Sequence, residues 1–170
     1  GRCSPTTLGV GWCGMLKSSN CRCATGARLR DGAIEAVVPA GSDELQAFYR
    51  EKLVSGQWTG TMNLTEPQAG SDRAMVRSRA EPQPDGSYKV FGTKIFITYG
   101  EHDMAENIVP LVLASLPDAP EGVKGISLFV VPKFLFNPDG SLGARTAAWF
   151  VSPANQLPTL ANPHAVARRC

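Results

Sequence analysis

The feature that most constrains the fold is a series of short apolar segments separated by turn signals, between residues 58 and 145. "NIVPLVLASL" and "GISLFVVPK" are rich in β-branched residues and are short, as strands usually are. "PDG" at 84–86 and "NPDG" at 137–140 are typical turn sequences. Several short strands joined by such turns predict a mainly β domain, an antiparallel barrel or a sandwich.

A helix is predicted just before this β region, in "GSDELQAFYREKL". Ser42 or Asp43 can cap its first turn, and Ser55 with Gly56 ends it. One face carries apolar residues at helical spacing, namely Leu45, Phe48, Tyr49 and Leu53. Little in the sequence is visible to cover that face, and open strand edges are expected as well. We therefore expect low solubility or self-association.

The two flanks, residues 1–31 and 146–170, receive no fold assignment. They lack a sustained hydrophobic period, and they contain all five cysteines. Disorder and a non-native reading frame both remain open as explanations. The spacing of Cys13, Cys21 and Cys23 does not complete a four-ligand zinc site, so no metal site is predicted.

The charge and hydropathy of the chain argue against two classes of partner. A net charge of +2 gives no strong attraction to nucleic acid or to an anionic membrane. The longest apolar run, around 108–116, is too short to span a bilayer and contains Pro110. The absence of cysteine from residue 24 to residue 169 favours a reducing compartment, and we expect a cytoplasmic protein.

Two motifs carry the candidate chemistry. "TMNLTEPQAGSD" (61–72) reads as a strand end that breaks into a tight turn, with Thr65 before the turn. In "KIFITYG" (94–100), period two places Phe96 and Thr98 on one face of a strand. A flat residue beside a hydroxyl suits a planar, apolar ring with one polar edge atom, such as the isoalloxazine ring of a flavin.

These motifs resemble those of the acyl-CoA dehydrogenases, and "GSDELQAFYREKLVSGQW" and "GVKGISLFVVPK" extend the resemblance over about residues 32–145. "ITYGEHDMAENIV" most resembles the longer bacterial subclass that includes methylthiopropanoyl-CoA dehydrogenases. The resemblance implies the end of a helical amino-terminal domain at 32–57 and an antiparallel middle β-barrel at 58–145. It implies FAD as cofactor and an acyl-CoA thioester as substrate, dehydrogenated between Cα and Cβ with hydride transfer to flavin N5.

The resemblance also implies roles for five residues of the first motif. Met62 would flank the flavin ring, and the Leu64 N–H and the Thr65 side chain would meet its pyrimidine edge. Gly70 would let the backbone pass close to the ligand. Ser71 would contact the CoA portion of the substrate and lie near the cofactor.

Two residues of the second motif receive roles in the same way. Phe96 matches a position that is usually tryptophan, against the ring face, and it keeps the flat surface while losing the indole N–H. Thr98 would donate its hydroxyl to flavin N5.

No catalytic residue is assigned, because the glutamate base of the family lies in a carboxy-terminal helical domain that this sequence does not contain. We therefore expect that this polypeptide does not turn over substrate by itself. For the full-length family the resemblance implies electron-transfer flavoprotein as a partner and a homo-oligomeric state.

Other interpretations stay open from the residues alone. The motifs could belong to a non-catalytic β-barrel interaction module, or to an acyl-CoA oxidase that uses oxygen. Glu66 is expected to be a buried or turn-bonding carboxylate rather than a base. The cluster of Glu101, His102 and Asp103 is expected to be a solvated loop, with a His–Asp proton relay as the second choice. Arg77 and Arg79 are expected to face solvent, and His164 receives no role.

Overall fold

In the computed structural model of this chain, the described residues are 14, 15, 18, 21–40, 43–137, 141–146 and 166–169. Two helices come first, α1 (Cys21–Ala40) and α2 (Asp43–Ser55). The strands that follow are β1 (Trp58–Asn63), β2 (Arg79–Pro82), β3 (Tyr88–Phe91), β4 (Asn107–Ser115), β5 (Ile126–Val130), β6 (Phe134–Phe136), β7 (Leu142–Arg145) and β8 (Val166–Arg169). Within these ranges, neither helix is apolar enough over a sufficient length to cross a membrane.

The main sheet is built around β4. Strand β1 pairs with it in parallel, from Trp58↔Asn107 to Asn63↔Val112, and β2 adds a parallel contact at Arg79↔Ser115. On its other edge β4 pairs antiparallel with β5. Strands β2 and β3 form an antiparallel hairpin, β8 pairs antiparallel with both β3 and β5, and β6 with β7 forms a separate two-stranded sheet. The architecture is therefore a mixed sheet preceded by two helices.

The parallel pairings of β1 and β2 depart from the expected antiparallel arrangement, and both involve the central strand β4. Its first six residues are all buried, which is typical of a strand covered on both faces. Val109 and Leu111 belong to a helix-side core with members of α1, α2 and β1. Val112 and Ala114 belong to a far-side core with members of β2, β3 and β5.

The predicted helix is confirmed as α2, and its apolar face is covered at the two residues whose side chains are described. Tyr49 and Leu53 are buried in the helix-side core. The Tyr49 ring lies edge-on to Trp58 and to Phe136, with centroid distances of 5.8 and 5.4 Å. The expectation of an uncovered helix face was wrong at these two residues, because α1 and the sheet cover them. Ser42 and the side chains of Leu45 and Phe48 lie outside the described residues.

The flank assignments are corrected at two places. Helix α1 begins at Cys21, so residues 21–31 are helical rather than unassigned. Its contacts use small residues, which give no hydrophobic period: Ala33 packs on Gly60, and Gly26 lies against the Tyr99 ring. Residues 166–169 form β8, although the tail was expected to hold neither strand nor helix. Because β8 pairs with distant strands, local sequence could not reveal it.

The predicted turn at 84–86 is confirmed, whereas the strand predicted at 94–100 is not formed. "PDG" at 84–86 joins β2 to β3, and residues 138–140 of the second predicted turn lie outside the described residues. Regular structure ends at Phe91, and Gly92 follows with a φ of 151°.

The contact between α1 and β1 predicts the effect of Gly60→Ala. A Cβ added at Gly60 would lie 2.2 Å from the Ala33 Cβ, so the helix must shift away from the strand. We expect a loss of about 1–3 kcal/mol in the free energy of unfolding, measured by urea denaturation. Gly32→Ala is the control. Gly32 lies in α1 next to Ala33, and a Cβ added there would meet nothing within 4 Å. A neutral Gly60→Ala would contradict this packing.

Candidate functional site

The first motif folds as a strand that ends in a tight turn, as predicted. Glu66 N–H donates to the Ala69 carbonyl at 2.9 Å, and Ala69 N–H donates back to the Glu66 carbonyl at 3.1 Å. Asp72 then accepts from Ala74 N–H at 3.0 Å and caps a single 3-10 turn, Arg73–Met75. These bonds fix the backbone from the end of β1 through the Gly70–Ser71 corner.

The second motif is irregular backbone rather than a strand. Phe96 and Tyr99 both have a φ of 57°, a left-handed conformation that bulky residues rarely adopt. The side chains nevertheless alternate, because Phe96 and Thr98 are exposed while Ile97 between them is buried. Phe96 and Thr98 are therefore both accessible, but the strand whose periodicity predicted a common face for them is not formed.

The two motifs lie side by side. Ile95 N–H donates to the Thr65 carbonyl at 2.9 Å, and the Thr61 hydroxyl donates to the Thr98 carbonyl at 2.6 Å. The Lys94 ammonium donates to the Leu64 carbonyl at 3.2 Å. Three hydrogen bonds therefore hold the segment from Lys94 to Thr98 against the end of β1 and the two residues that follow it.

A buried carboxylate lies at the base of this arrangement. Glu66 Oε1 accepts from the Lys94 ammonium at 2.7 Å, from the Ser78 hydroxyl at 2.6 Å and from Ser78 N–H at 3.1 Å. Its Oε2 accepts from Arg77 N–H at 2.8 Å and from the Gln68 amide. Both oxygens are fully used, which confirms the expectation of a buried, turn-bonding carboxylate rather than a base.

The electrostatics of the pair follow from its burial. Burial acts to raise the pKa of Glu66, but the hydrogen bonds from Lys94, Ser78 and the Arg77 N–H outweigh it and hold the pKa below its ordinary 4.5. Burial also lowers the pKa of Lys94, an effect that Glu66 only partly offsets. The hydrogen bonds to Glu66 therefore favour its charged form.

The predicted site residues of the first motif differ in their solvent exposure. Met62 is half-buried and packs against the helix-side core, while Leu64 and Thr65 are also half-buried. Gly70 and Ser71 are exposed, and a Cβ added at Gly70 would meet nothing within 4 Å. Space is therefore open over the turn, whereas the Met62 side chain has core contacts. The ligand roles of these residues remain predictions.

The predicted residues of the second motif both face outward. The Phe96 side chain is 74% exposed, the largest exposed fraction among the large apolar side chains of the described residues. Thr98 is exposed, and within the described part of the chain its hydroxyl has no hydrogen-bond partner. An outward aromatic ring and a free hydroxyl two residues apart are thus available to a ligand.

Sequence reasoning missed Lys94 and Ser78. The signal for Lys94 was a charged residue beside the apolar run Ile95–Ile97, in a chain that offers Glu66 as a partner. Ser78 received no role from the sequence. Ser78 also explains why residue 92 is a glycine, since a Cβ at Gly92 would lie 2.1 Å from the Ser78 hydroxyl oxygen.

Asn63 was missed as well. Its side chain is fully buried at the end of β1, and neither polar atom of its amide has a partner among the described residues. An unpaired buried amide is costly. Nothing in the described residues explains why the chain carries one here.

The loop after the second motif is more structured than expected. Glu101 accepts from the Lys133 ammonium and from Arg145, the latter at 2.8 Å. The His102 ring contacts the Thr59 hydroxyl at 3.1 Å and accepts from Met104 N–H. Burial lowers the pKa of His102, and the nearby Lys133 acts in the same direction.

These contacts correct the prediction of a solvated loop, although Asp103 is exposed as expected. Among the described residues His102 has no bond to Asp103, so the His–Asp relay has no support. Arg77 and Arg79 are exposed as predicted. His164 lies outside the described residues.

An open cleft of about 590 Å³ begins just beyond the first motif. Ala74 and Val76 line one side, and they follow the Gly70–Ser71 corner in the chain. Ser115 and residues 119–122, from the end of β4 and the loop before β5, line the other. A ligand that touches Ser71 could therefore continue into this cleft.

The low pKa of Glu66 predicts an acid-sensitive contribution to stability. Because the folded-state pKa lies below the ordinary 4.5, the stabilisation is present above that value and is lost as the pH falls through the folded-state pKa. We expect the free energy of unfolding, measured by urea denaturation from pH 7 to pH 3, to fall less steeply below pH 4.5 in Glu66→Gln than in the wild type. Glu81→Gln, in an exposed pair with Arg79, controls for the loss of one carboxylate. An identical pH profile in Glu66→Gln and wild type would contradict the assignment.

Comparison with known proteins gives the site a family context. Residues 61–151 match the acyl-CoA dehydrogenase middle domain. The 3-methylmercaptopropionyl-CoA dehydrogenase of Ruegeria pomeroyi is 58% identical over 138 residues, which are 81% of this chain and 24% of that protein. A butyryl-CoA dehydrogenase of Syntrophomonas wolfei is 47% identical over 117 residues, covering 68% of this chain and 19% of that protein.

A solved structure agrees with these sequence matches. The glutaryl-CoA dehydrogenase of Mycobacterium smegmatis in complex with FADH2 has a TM-score of 0.59 at 27% identity, covering 74% of this chain and 31% of that one. The chain thus spans about a quarter or less of the length of the two curated relatives. It belongs to the acyl-CoA dehydrogenase family, of which it contains middle-domain sequence.

Proposed function

We propose that this chain is part of an FAD-dependent acyl-CoA dehydrogenase and carries the barrel half of its FAD and acyl-CoA site. The names of the two curated relatives support a short-chain acyl-CoA as the substrate class. The 58% identity favours the subclass of the methylmercaptopropionyl enzyme. Because the chain covers only a fraction of those relatives, the activity belongs to the whole protein.

One observation carries the proposal: the two motifs are bonded side by side, and each presents free groups. Phe96 and Thr98 are both exposed on a segment bonded to Leu64 and Thr65, and among the described residues the Thr98 hydroxyl has no hydrogen-bond partner. Backbone strain at functional residues is tolerated when the surrounding contacts enforce it, and Phe96 has a φ of 57°. A tricyclic ring with an apolar face and polar edge atoms fits these groups.

Each residue then has a distinct task toward the flavin. The Leu64 N–H and the Thr65 side chain would bind the pyrimidine edge, Phe96 would cover a ring face, and Thr98 would donate to N5. Met62 would flank the ring only if its side chain left its present contacts with the helix-side core. When bound, the flavin supplies the acceptor for the electron pair removed from the Cα–Cβ bond.

The substrate side of the proposal uses Ser71 and the cleft beyond it. Ser71 is exposed at the corner where the open space over Gly70 begins. The cleft between Val76 and residues 119–122 would continue the path for the CoA portion of the thioester.

The remaining parts of the proposal concern the whole protein. A carboxylate base from a further domain would remove the α proton, and electron-transfer flavoprotein would reoxidise the flavin. The sheet would be completed as a barrel, which is supported by β8 pairing with both β3 and β5 while β5 also pairs with β4. A homo-oligomeric state and a cytoplasmic location belong to the same proposal.

The proposal predicts that the chain binds FAD through the two motifs. Thr65→Val and Thr98→Val should each weaken FAD binding by about threefold to tenfold, the cost of one hydrogen bond, in a titration followed by flavin fluorescence. Ser87→Ala, in the turn between β2 and β3, is the matched control and should leave affinity unchanged. Absence of FAD binding to the wild-type chain, or full affinity in both threonine variants, would contradict the proposal.

A further inference from the structure

The buried pair of Glu66 and Lys94 lies beside the candidate site, and the proposed chemistry gives it no role. Glu66 is 3% exposed and the Lys94 side chain is 0% exposed, and their charged atoms are 2.7 Å apart. A buried ion pair is weak support for stability, because apolar residues of the same volume often serve as well. The segments of the chain that the pair holds together are therefore more informative about its role than its contribution to stability.

The contacts of the pair extend over three separate stretches of the chain. Glu66 receives backbone donors from Arg77 and Ser78, which lead into β2. Lys94 donates to Glu66 and also to the Leu64 carbonyl, so one ammonium joins both motifs. Phe96 and Thr98 follow Lys94 by only two and four residues.

We propose that Glu66 and Lys94 are positioning residues that set the spacing between the Leu64–Thr65 segment and the Phe96–Thr98 segment. This inference rests on the proposed flavin site, to which the two segments contribute. Neither charged group faces a ligand in this arrangement, since Glu66 has both oxygens occupied and Lys94 is fully buried. The pair acts through the backbone that it holds.

The alternative is that the pair simply stabilises the fold. A stabilising role predicts that breaking it lowers the melting temperature of the whole domain. A positioning role predicts local loosening of the segment after Lys94 even when the buried charges are removed together and the domain still unfolds cooperatively. Ile95 reports this directly, because its N–H donates to the Thr65 carbonyl at 2.9 Å.

The test is the double variant Glu66→Leu/Lys94→Met in this chain, followed by amide hydrogen exchange. Its matched control is Glu101→Leu/Lys133→Met, which removes a second Lys–Glu pair between other segments. We expect the Ile95 amide to exchange at least about tenfold faster in the first variant and unchanged in the control. The Val131 amide, bonded to the Pro110 carbonyl in the core, should stay protected in both.

Unchanged protection of Ile95 in Glu66→Leu/Lys94→Met would overturn the inference. If exchange at Ile95 and at Val131 rose together, the pair would be a stabiliser of the fold, and the inference would again fail. FAD titration of the same variants separates this result from the proposed function. A wild-type chain that binds no FAD refutes the flavin site, whereas the exchange pattern still decides whether the pair sets the spacing.

Discussion

The ion pair between Glu66 and Lys94 is the contact on which the arrangement of both motifs depends. It is buried, it accepts donors from a third stretch of chain, and it lies beneath a segment with two left-handed residues. Such residues cost about 1–3 kcal/mol each and persist only where neighbouring contacts enforce them. Removing one partner of a buried pair costs about 3–5 kcal/mol, so the segment cannot easily relax.

The rest of the fold gives this pair a fixed frame. Strand β4 is covered on both faces, and its parallel pairing with β1 sets where the first motif begins. Helices α1 and α2 cover the outer face of β1 through close packing such as Ala33 on Gly60. The β2–β3 hairpin brings Ser78 beneath Glu66 and Gly92 beside Ser78. Close packing at Gly60 and Gly92 and the hydrogen bonds of Glu66 therefore both connect the site to the rest of the fold.

Much of the fold follows from local sequence, and the failures share a cause. Strands β4 and β5, helix α2 and the turn at 84–86 carry strong local patterns, and the structure contains them. Helix α1 was missed before Gly32 because that part of it has no hydrophobic period, and β8 was missed because only distant strands define it. The antiparallel arrangement was expected where β1 and β2 pair in parallel with β4, since pairing direction is a tertiary property.

The candidate site shows the same division. The motifs containing Thr65 and Thr98 were recognisable from their residues, and the bond between Ile95 and Thr65 brings them side by side. The strand that was expected to carry Phe96 is not formed, and Phe96 is exposed on irregular backbone with a positive φ. Lys94 was not anticipated, since a lysine in sequence normally indicates a solvated surface. Only its three-dimensional proximity to Glu66 gives it a role.

The most direct test of this account is an NMR titration of the isotope-labelled chain with FAD. The account predicts that amide shifts change together at Leu64, Thr65 and Thr98, while the β2–β3 turn around Gly86 stays unperturbed. Shift changes confined to one motif, or centred away from both, would contradict the claim that the two segments form a single flavin-binding surface.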